Sequence, residues 1–185
     1  MPENSKDFIN VIFRRKSVRS YTGNQVSKSD LEQIIRAGMA APSGRDERPW
    51  AFIAVTEPDL INRLTEELPY AKMLAQAGSA IVVCGSPVPH SRPNSRDLWE
   101  QDCAAATENI LLATEAIGLG AVWTALHPYP DRQQIVREIL VIPPGVHPFC
   151  LIPVGYPSGS EMPKDKWDPG KVHWEIWRNS EIAEP

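Results

Sequence analysis

Cysteine, histidine and long apolar runs are what this chain has least of. Its 185 residues include three cysteines, Cys84, Cys103 and Cys150. The count is odd, no CxxC pair is present and the neighbours are apolar. That excludes a disulfide frame and a zinc ribbon, and it points to buried thiols in a reducing compartment. His90, His127, His147 and His173 are scattered without ligand spacing, so no metal site is expected. No apolar stretch is long enough to cross a bilayer. The opening residues, Met-Pro-Glu-Asn-Ser-Lys-Asp, lack the charged lead and apolar run of a secretory signal, so a cytoplasmic protein is expected. Cations are not in excess. The net charge of −4 gives no reason to expect nucleic acid or an anionic membrane as a partner.

Several catalytic signatures are missing too. There is no GxSxG elbow, and no cysteine has a nearby histidine and polar frame, so a protein nucleophile is not expected. There is no P-loop. Gly118-Leu-Gly120 lacks the third glycine of a dinucleotide fingerprint and leads into a strand, not out of one. With no evident acid, base, nucleophile or metal, the chemistry would have to be borrowed from a cofactor, and no catalytic side chain is assigned.

What the chain does have is proline, tryptophan and one cationic knot. Many of its 18 prolines fall at 87–93 and 143–169. The first stretch reads as a surface loop with His90, Arg92 and Arg96. The second is not expected to be compact helix or central strand and leads into an extended arm, 158–185, carrying Trp167, Trp174 and Trp177. An arm with aromatic mass and no core of its own must lean on something, and a second copy of the chain is expected.

The patterning predicts one domain over 1–185 in which helices alternate with short strands. Asn4 or Ser5 is expected to cap a first helix, with apolar pairs Phe8–Ile12 and Ile9–Phe13. Ser27 and Asp30 are spaced for a cap before a helix ending near Ala41, where Pro42 stops it. Strands are expected at 50–55, 80–84, 120–124 and 149–154, with helices capped by Thr56 or Asp59 and by Asp131, and a further helical stretch over 69–77. Pro153 cannot donate to a ladder, which places its strand at an edge, at a bulge or at an end. The longest helix, 99–117, has a wide alanine-rich apolar arc suited to close packing in a core or at a dimer seam, and Gly118 is its left-handed cap.

The knot lies at 13–20, where Arg14, Arg15, Lys16 and Arg19 crowd around Ser17. Cations also end ordinary helices, because they suit the negative C-terminal pole. Arginine forks plus a serine hydroxyl equally suit a compact dianion such as a phosphate monoester.

Five stretches together carry a family likeness. They are Arg15-Lys-Ser-Val-Arg-Ser-Tyr21, Ala41-Pro-Ser-Gly with Arg48-Pro-Trp50, Trp99-Glu-Gln-Asp with Asn109-Ile-Leu-Leu-Ala113, Gly118-Leu-Gly120 with Trp123, and Ile152-Pro-Val-Gly-Tyr-Pro157. In this order the chain resembles the nitroreductase family of FMN-dependent oxidoreductases over nearly its whole length. The resemblance implies an α+β fold with a central, mostly antiparallel sheet flanked by helices, in an intertwined homodimer with exchanged C-terminal arms and FMN at the interface. It implies ping-pong electron transfer from NADH or NADPH through flavin to a small organic acceptor such as a nitroaromatic or quinone. Alternatives within its reach are a flavin-fragmenting or dehalogenating relative, or a flavin-binding sensor without turnover.

Carried over by position, Arg15, Ser17 and Arg19 would hold the FMN phosphate and ribityl chain, with Lys16 contributing its backbone. Lys166 stands where an arginine often reaches the phosphate. Pro42, Ser43 and Gly44 of the other subunit would line the ring, and Trp123 and Thr124 would run along it. Asp46 and Arg48 depart from the family, which usually has asparagine and glutamine there. An ionised Asp46 only accepts hydrogen bonds and would lower the flavin potential, offset by Arg45 or Arg48.

Overall fold

The structure, a computed structural model, describes residues 3–86, 98–159 and 161–177, with side chains from residue 8 onward. The expected proline-rich loop with His90, Arg92 and Arg96 lies outside the described residues. In order the elements are α1 (Glu3–Arg14), α2 (Lys28–Met39), β1 (Trp50–Val55), α3 (Pro58–Glu67), α4 (Leu74–Ala77), β2 (Ala80–Gly85), α5 (Trp99–Ala116), β3 (Gly120–Ala121), β4 (Thr124–Ala125), α6 (Pro130–Leu140) and β5 (His147–Gly155). The strands form one antiparallel sheet in the order β1-β2-β5-β3, with β4 also on β5. This is the α+β architecture expected. No described helix is long and apolar enough to cross a membrane.

Alternation along β2 divides the interior in two, because successive side chains point to opposite faces. Ile81 and Val83 face α2 and α5, where they meet Leu31, Ile34, Cys103 and Ile110. Ala80, Val82 and Cys84 face the other way, toward Leu64 of α3, Leu74 of α4 and Val136 and Ile139 of α6. Each fully buried leucine or isoleucine contributes about 1.5–3 kcal/mol. The three thiols are free and buried in these layers. Burial pushes Cys84 and Cys150 up to about 12, and Cys103 also upward, so none is a reactive thiolate.

The stripe of α5 through Cys103, Ala106 and Ile110 is buried in the chain's own core. A Cβ on Gly38 of α2 would lie 2.9 Å from Ile110 Cγ1, so the two helices cross with almost no space between them. Asn109 Nδ2 donates to the Ala37 carbonyl at 3.0 Å and fixes the crossing. Ser27 caps α2 as expected, accepting from Asp30 N at 3.0 Å while its hydroxyl donates to Asp30 Oδ2 at 2.7 Å.

Several expectations need correction. Helix α1 begins at Glu3, ahead of the proposed caps Asn4 and Ser5. Glu57, not Thr56, occupies the cap position of α3, and Tyr129, not Asp131, that of α6. Both helices have proline at their first position, which needs no N–H there and fixes the start. The stretch 69–77 is helical only over Leu74–Ala77, because Tyr70 takes a left-handed φ of 64°.

The larger correction concerns Pro153. Its strand, β5, is internal, paired with β2 on one side and with β3 and β4 on the other. It runs past Pro153 to Gly155, and its register shift falls at Val83/Cys84, away from the proline. The expected third strand instead splits into β3 and β4. Continuing their common register across the gap sets Val122 opposite Pro153, where no N–H is available to complete a rung. The proline interrupts its neighbour and leaves its own strand whole.

The cationic segment lies against the far side of this split strand. Ser17 bridges Ala121 in parallel sense, and Val18 N donates to Ala121 O at 2.9 Å. Thr22 N donates to Tyr156 O, and Ser158 N to Ser20 O, both at 2.9 Å. Gly120 is what lets the segment approach, because a Cβ there would lie 2.7–2.9 Å from three atoms of buried Val18. Gly120→Ala is therefore expected to lower stability by about 1–3 kcal/mol, measured by urea unfolding.

Candidate functional site

The chain leaves α1 at Arg14 and becomes extended, so only Arg14 lies in the last helical turn and serves its negative pole. The following cations do something else. Arg15, Lys16, Ser17 and Arg19 line one cavity of about 400 Å³ with Glu161, Met162, Lys164 and Lys166 of the arm. Four of the residues expected to grip a phosphate, and Lys166 far along the chain, are thus brought together. Lys164 completes the set.

The charges nearly balance, with a remainder. Arg15 Nε lies 3.4 Å from Glu108 Oε1, and Lys16 Nζ lies 3.2 Å from Glu115 Oε2, both acids on α5. Glu161 Oε1 accepts from the backbone N–H of Arg19 at 3.0 Å and of Ser20 at 3.1 Å. Those amides, Arg19's foremost, hold its carboxyl below the usual range. Five cations against three carboxylates leave two positive charges around the cavity. Among the described residues, Arg19, Lys164 and Lys166 have no acidic side-chain partner. A phosphate monoester carries about −1.5 to −2 near neutral pH, so the donor set and its charge fit that group.

Trp123 and Thr124 are joined to this wall through β3 and β4. Thr124 is buried, and Trp123 packs on Phe149 with ring centres 5.5 Å apart. Trp99 continues the aromatic layer, 6.1 Å from Phe149 and stacked 5.5 Å from His147. It lies so close over Gly85 that a Cβ there would meet its ring at 2.0 Å. His127 Nε2 pairs with Glu100 Oε1 at 3.1 Å. Burial, then the charges of Arg137 and His127, hold His147 below its usual value.

Pro42, Ser43, Gly44 and Asp46 do not join this group within one chain. Their loop is tied to the opposite end of α5, where Gly44 N donates to buried Asp102 Oδ1 at 2.9 Å. At 1.5 Å per residue, Asp102 is about 9 Å along the helix axis from Glu108 and about 20 Å from Glu115. The loop itself is unusual. Arg45, Asp46 and Arg48 have φ of 55°, 58° and 49°, a conformation that disfavours side chains by about 1–2 kcal/mol per residue. Side-chain contacts help to hold it. Besides the Asp102 bond, Arg48 N donates to Ser43 Oγ at 3.0 Å. Arg48 also forks onto Asp46, with Nε on Oδ1 at 2.7 Å and Nη2 on Oδ2. The fork lowers the Asp46 carboxyl and raises the Arg48 guanidinium.

Sequence reasoning assigned no role to Lys164, and it missed Glu161. The only local signal for the latter is a single acid shortly before two lysines. Its partners lie more than 140 positions away, so only the pairing of 20–22 with 156–158 reveals it.

The chain is similar to known proteins over most of its length. The model of the nitroreductase family matches residues 12–68 and 64–156. A protein of Archaeoglobus fulgidus that carries the provisional name NADH dehydrogenase/NAD(P)H nitroreductase is 38% identical over 93% of this chain and 99% of its own. A crystal structure from Parabacteroides distasonis, with the same provisional name, is 48% identical with a TM-score of 0.86, over 92% of this chain and 98% of that one. An FMN-dependent nitroreductase of Clostridium difficile is 26% identical with a TM-score of 0.82, over 91% and 99%.

The Asp102 contact can be tested without any ligand. Asp102→Ala strands the Gly44 N–H and is expected to lower stability by about 1–3 kcal/mol, read by thermal or urea unfolding. Trypsin should then cut faster after Arg45.

Proposed function

The chain belongs to the nitroreductase family, and from that premise we propose that it is an FMN-dependent oxidoreductase carrying electrons from NAD(P)H to a small organic acceptor such as a nitroaromatic or quinone. The observation that carries the reading is the cavity with two uncompensated positive charges at the end of α1. In this reading Arg15, Ser17, Arg19, Lys164 and Lys166 bind the FMN phosphate, and Lys16 adds its backbone while its ammonium holds Glu115. When bound, FMN supplies the two-electron carrier that NAD(P)H loads and the acceptor empties in ping-pong order. Trp123 and Thr124, set in a rigid aromatic and buried layer, orient the ring and keep water off one side of it. No side chain is required as acid or base.

The active form in this reading is a homodimer. Phe8, Ile9 and Phe13 of α1 and Trp167, Trp174, Ile176 and Trp177 of the arm are exposed on a single chain. A groove of about 670 Å³ lies beside edge strand β1, lined by Leu31, Ile35, Met39 and Ala54 with Lys28, Glu32, Arg36 and Thr56. Among its described residues the arm has no strand or helix beyond one turn at Pro169–Lys171, and such an arm suits this groove on a second copy. Exchange would also bring Pro42, Ser43, Gly44 and Asp46 of one chain to the cationic cavity of the other. One domain over 1–185 with a swapped arm is the organisation this implies.

The decisive experiment is the spectrum of the purified full-length protein. A yellow particle of two chains with one FMN per chain is expected, bleached by anaerobic NADPH or NADH and recoloured by a quinone or nitroaromatic. A folded, colourless monomer that takes up no added FMN overturns the reading. Each charge-assisted bond to phosphate contributes about 1.5–3 kcal/mol, so Arg19→Ala should weaken FMN about tenfold to a hundredfold. The Asp46–Arg48 fork makes a second, signed expectation. Asp46→Asn frees a cation beside the ring and should raise the midpoint of the bound flavin, whereas Arg48→Gln frees an anion and should lower it. Potentiometric titration reads both, and equal midpoints would remove the loop from the flavin's surroundings.

A further inference from the structure

We propose that Glu161 is a latch, a positioning residue that fixes the lysine-bearing arm over the phosphate end of the cofactor site. The inference rests on the flavin reading for its ligand and on the chain's own geometry for the latch. After β5 the chain pairs with the cationic segment only as far as Ser158, through Ser158 N to Ser20 O. From Met162 to Asp168 it forms no strand or helix. Glu161 is the contact between those two regimes. Its Oε1 takes the N–H groups of Arg19 and Ser20, the amides of the segment whose side chains line the cavity. Lys164 and Lys166 follow three and five residues later, within about 10 and 17 Å of chain. With the carboxylate seated, both lysines line the same cavity as Arg15 and Arg19. Without it, no hydrogen bond or ion pair among the described residues ties 162–166 to that wall.

A carboxylate in an anion-binding cavity has an opposite reading, as a rival for the phosphate. The charges decide between them. One negative group, engaged by two amides, brings two ammonium groups to the lining, while Asp165 between them lines the neighbouring cavity, so the seated arm makes this cavity more positive. The fit around the second oxygen also indicates a built contact. Glu161 Oε2 is buried without a hydrogen-bond partner, packed against Gly159, where an added Cβ would lie 2.3 Å from it. Any side chain at position 159 would therefore unseat the carboxylate while leaving its charge in the chain. The nearest atoms belong to the tip of a flexible side chain, and Ser20 Cβ, at 2.9 Å, needs to give by only a few tenths of an ångström, so such a variant should fold.

Glu161→Ala and Gly159→Ala thus break the latch in two different ways. Affinities of the full-length chain, freed of flavin, are measured for FMN and for riboflavin, which lacks the phosphate. Both variants are expected to weaken FMN about tenfold and to leave riboflavin unchanged. Trypsin should cut faster after Lys164 and Lys166. Glu161→Gln, which keeps an acceptor oxygen without the charge, should fall between them and wild type. Unchanged FMN affinity overturns the latch. Tighter FMN binding in Glu161→Ala also overturns it and makes Glu161 the rival anion. Equal losses for FMN and riboflavin overturn it in favour of a general defect of the fold. A wild-type chain that takes up neither flavin sinks the cofactor reading. Trypsin then decides the latch alone, with unaltered cleavage in both variants counting against it.

Discussion

The hydrogen bond from Val18 N to the Ala121 carbonyl is the contact on which the arrangement turns. It converts residues that could have been a frayed helix end into an extended rim on the sheet. Extended backbone sends alternate side chains to opposite sides. Val18 therefore sinks against Gly120 and into a small core with Tyr21, while Ser17 and Arg19 stay at the cavity. Tyr21 clamps the same rim, donating to the Val18 carbonyl at 2.7 Å, and its hydroxyl is pushed upward chiefly by burial. The cations are held by a backbone that cannot drift, which matters more for binding a rigid anion than their number does.

How much of this was legible in the sequence depends on how local its cause was. The buried strand β2, the Ser27 cap and the long helix α5 follow from apolar runs and spacing, and the structure has them where they were expected. The cationic cluster was legible as a candidate anion site because charge and hydroxyl sat within one short stretch, and the structure brings these side chains to one cavity. Failures came where a distant partner decided the outcome. Pro153 was read as marking an edge, a bulge or a strand end, yet its missing N–H is absorbed by a break in the neighbouring strand. That break was invisible because Gly120 to Thr124 reads as one continuous run. Glu161 was missed for the same reason, since its partners are set by pairing across most of the chain.

The two halves of the proposed cofactor site illustrate different ways of fixing a shape. The phosphate half is held by pairing to the sheet and by acids on α5. The loop at 42–48 has no sheet to lean on and keeps three left-handed residues in place with side-chain contacts. Both are tethered to the same helix, so α5 acts as the ruler that sets their separation. A displacement of α5 would move both ends together. Its tight crossing with α2 at Gly38 makes such a displacement difficult.

The sheet order also has a consequence for how the molecule is made. β5 is the last strand in the chain, and it stands in the middle, between β2 and the β3/β4 pair. While the ribosome has delivered only the first 140 or so residues, the nascent polypeptide holds two fragments of sheet with an unfilled slot between them. Neither buried layer can close, and the rim at 20–22 still lacks its partner at 156–158. Folding must therefore wait for nearly the whole chain to emerge, which exposes β2 and α5 to the cell's holding machinery during synthesis.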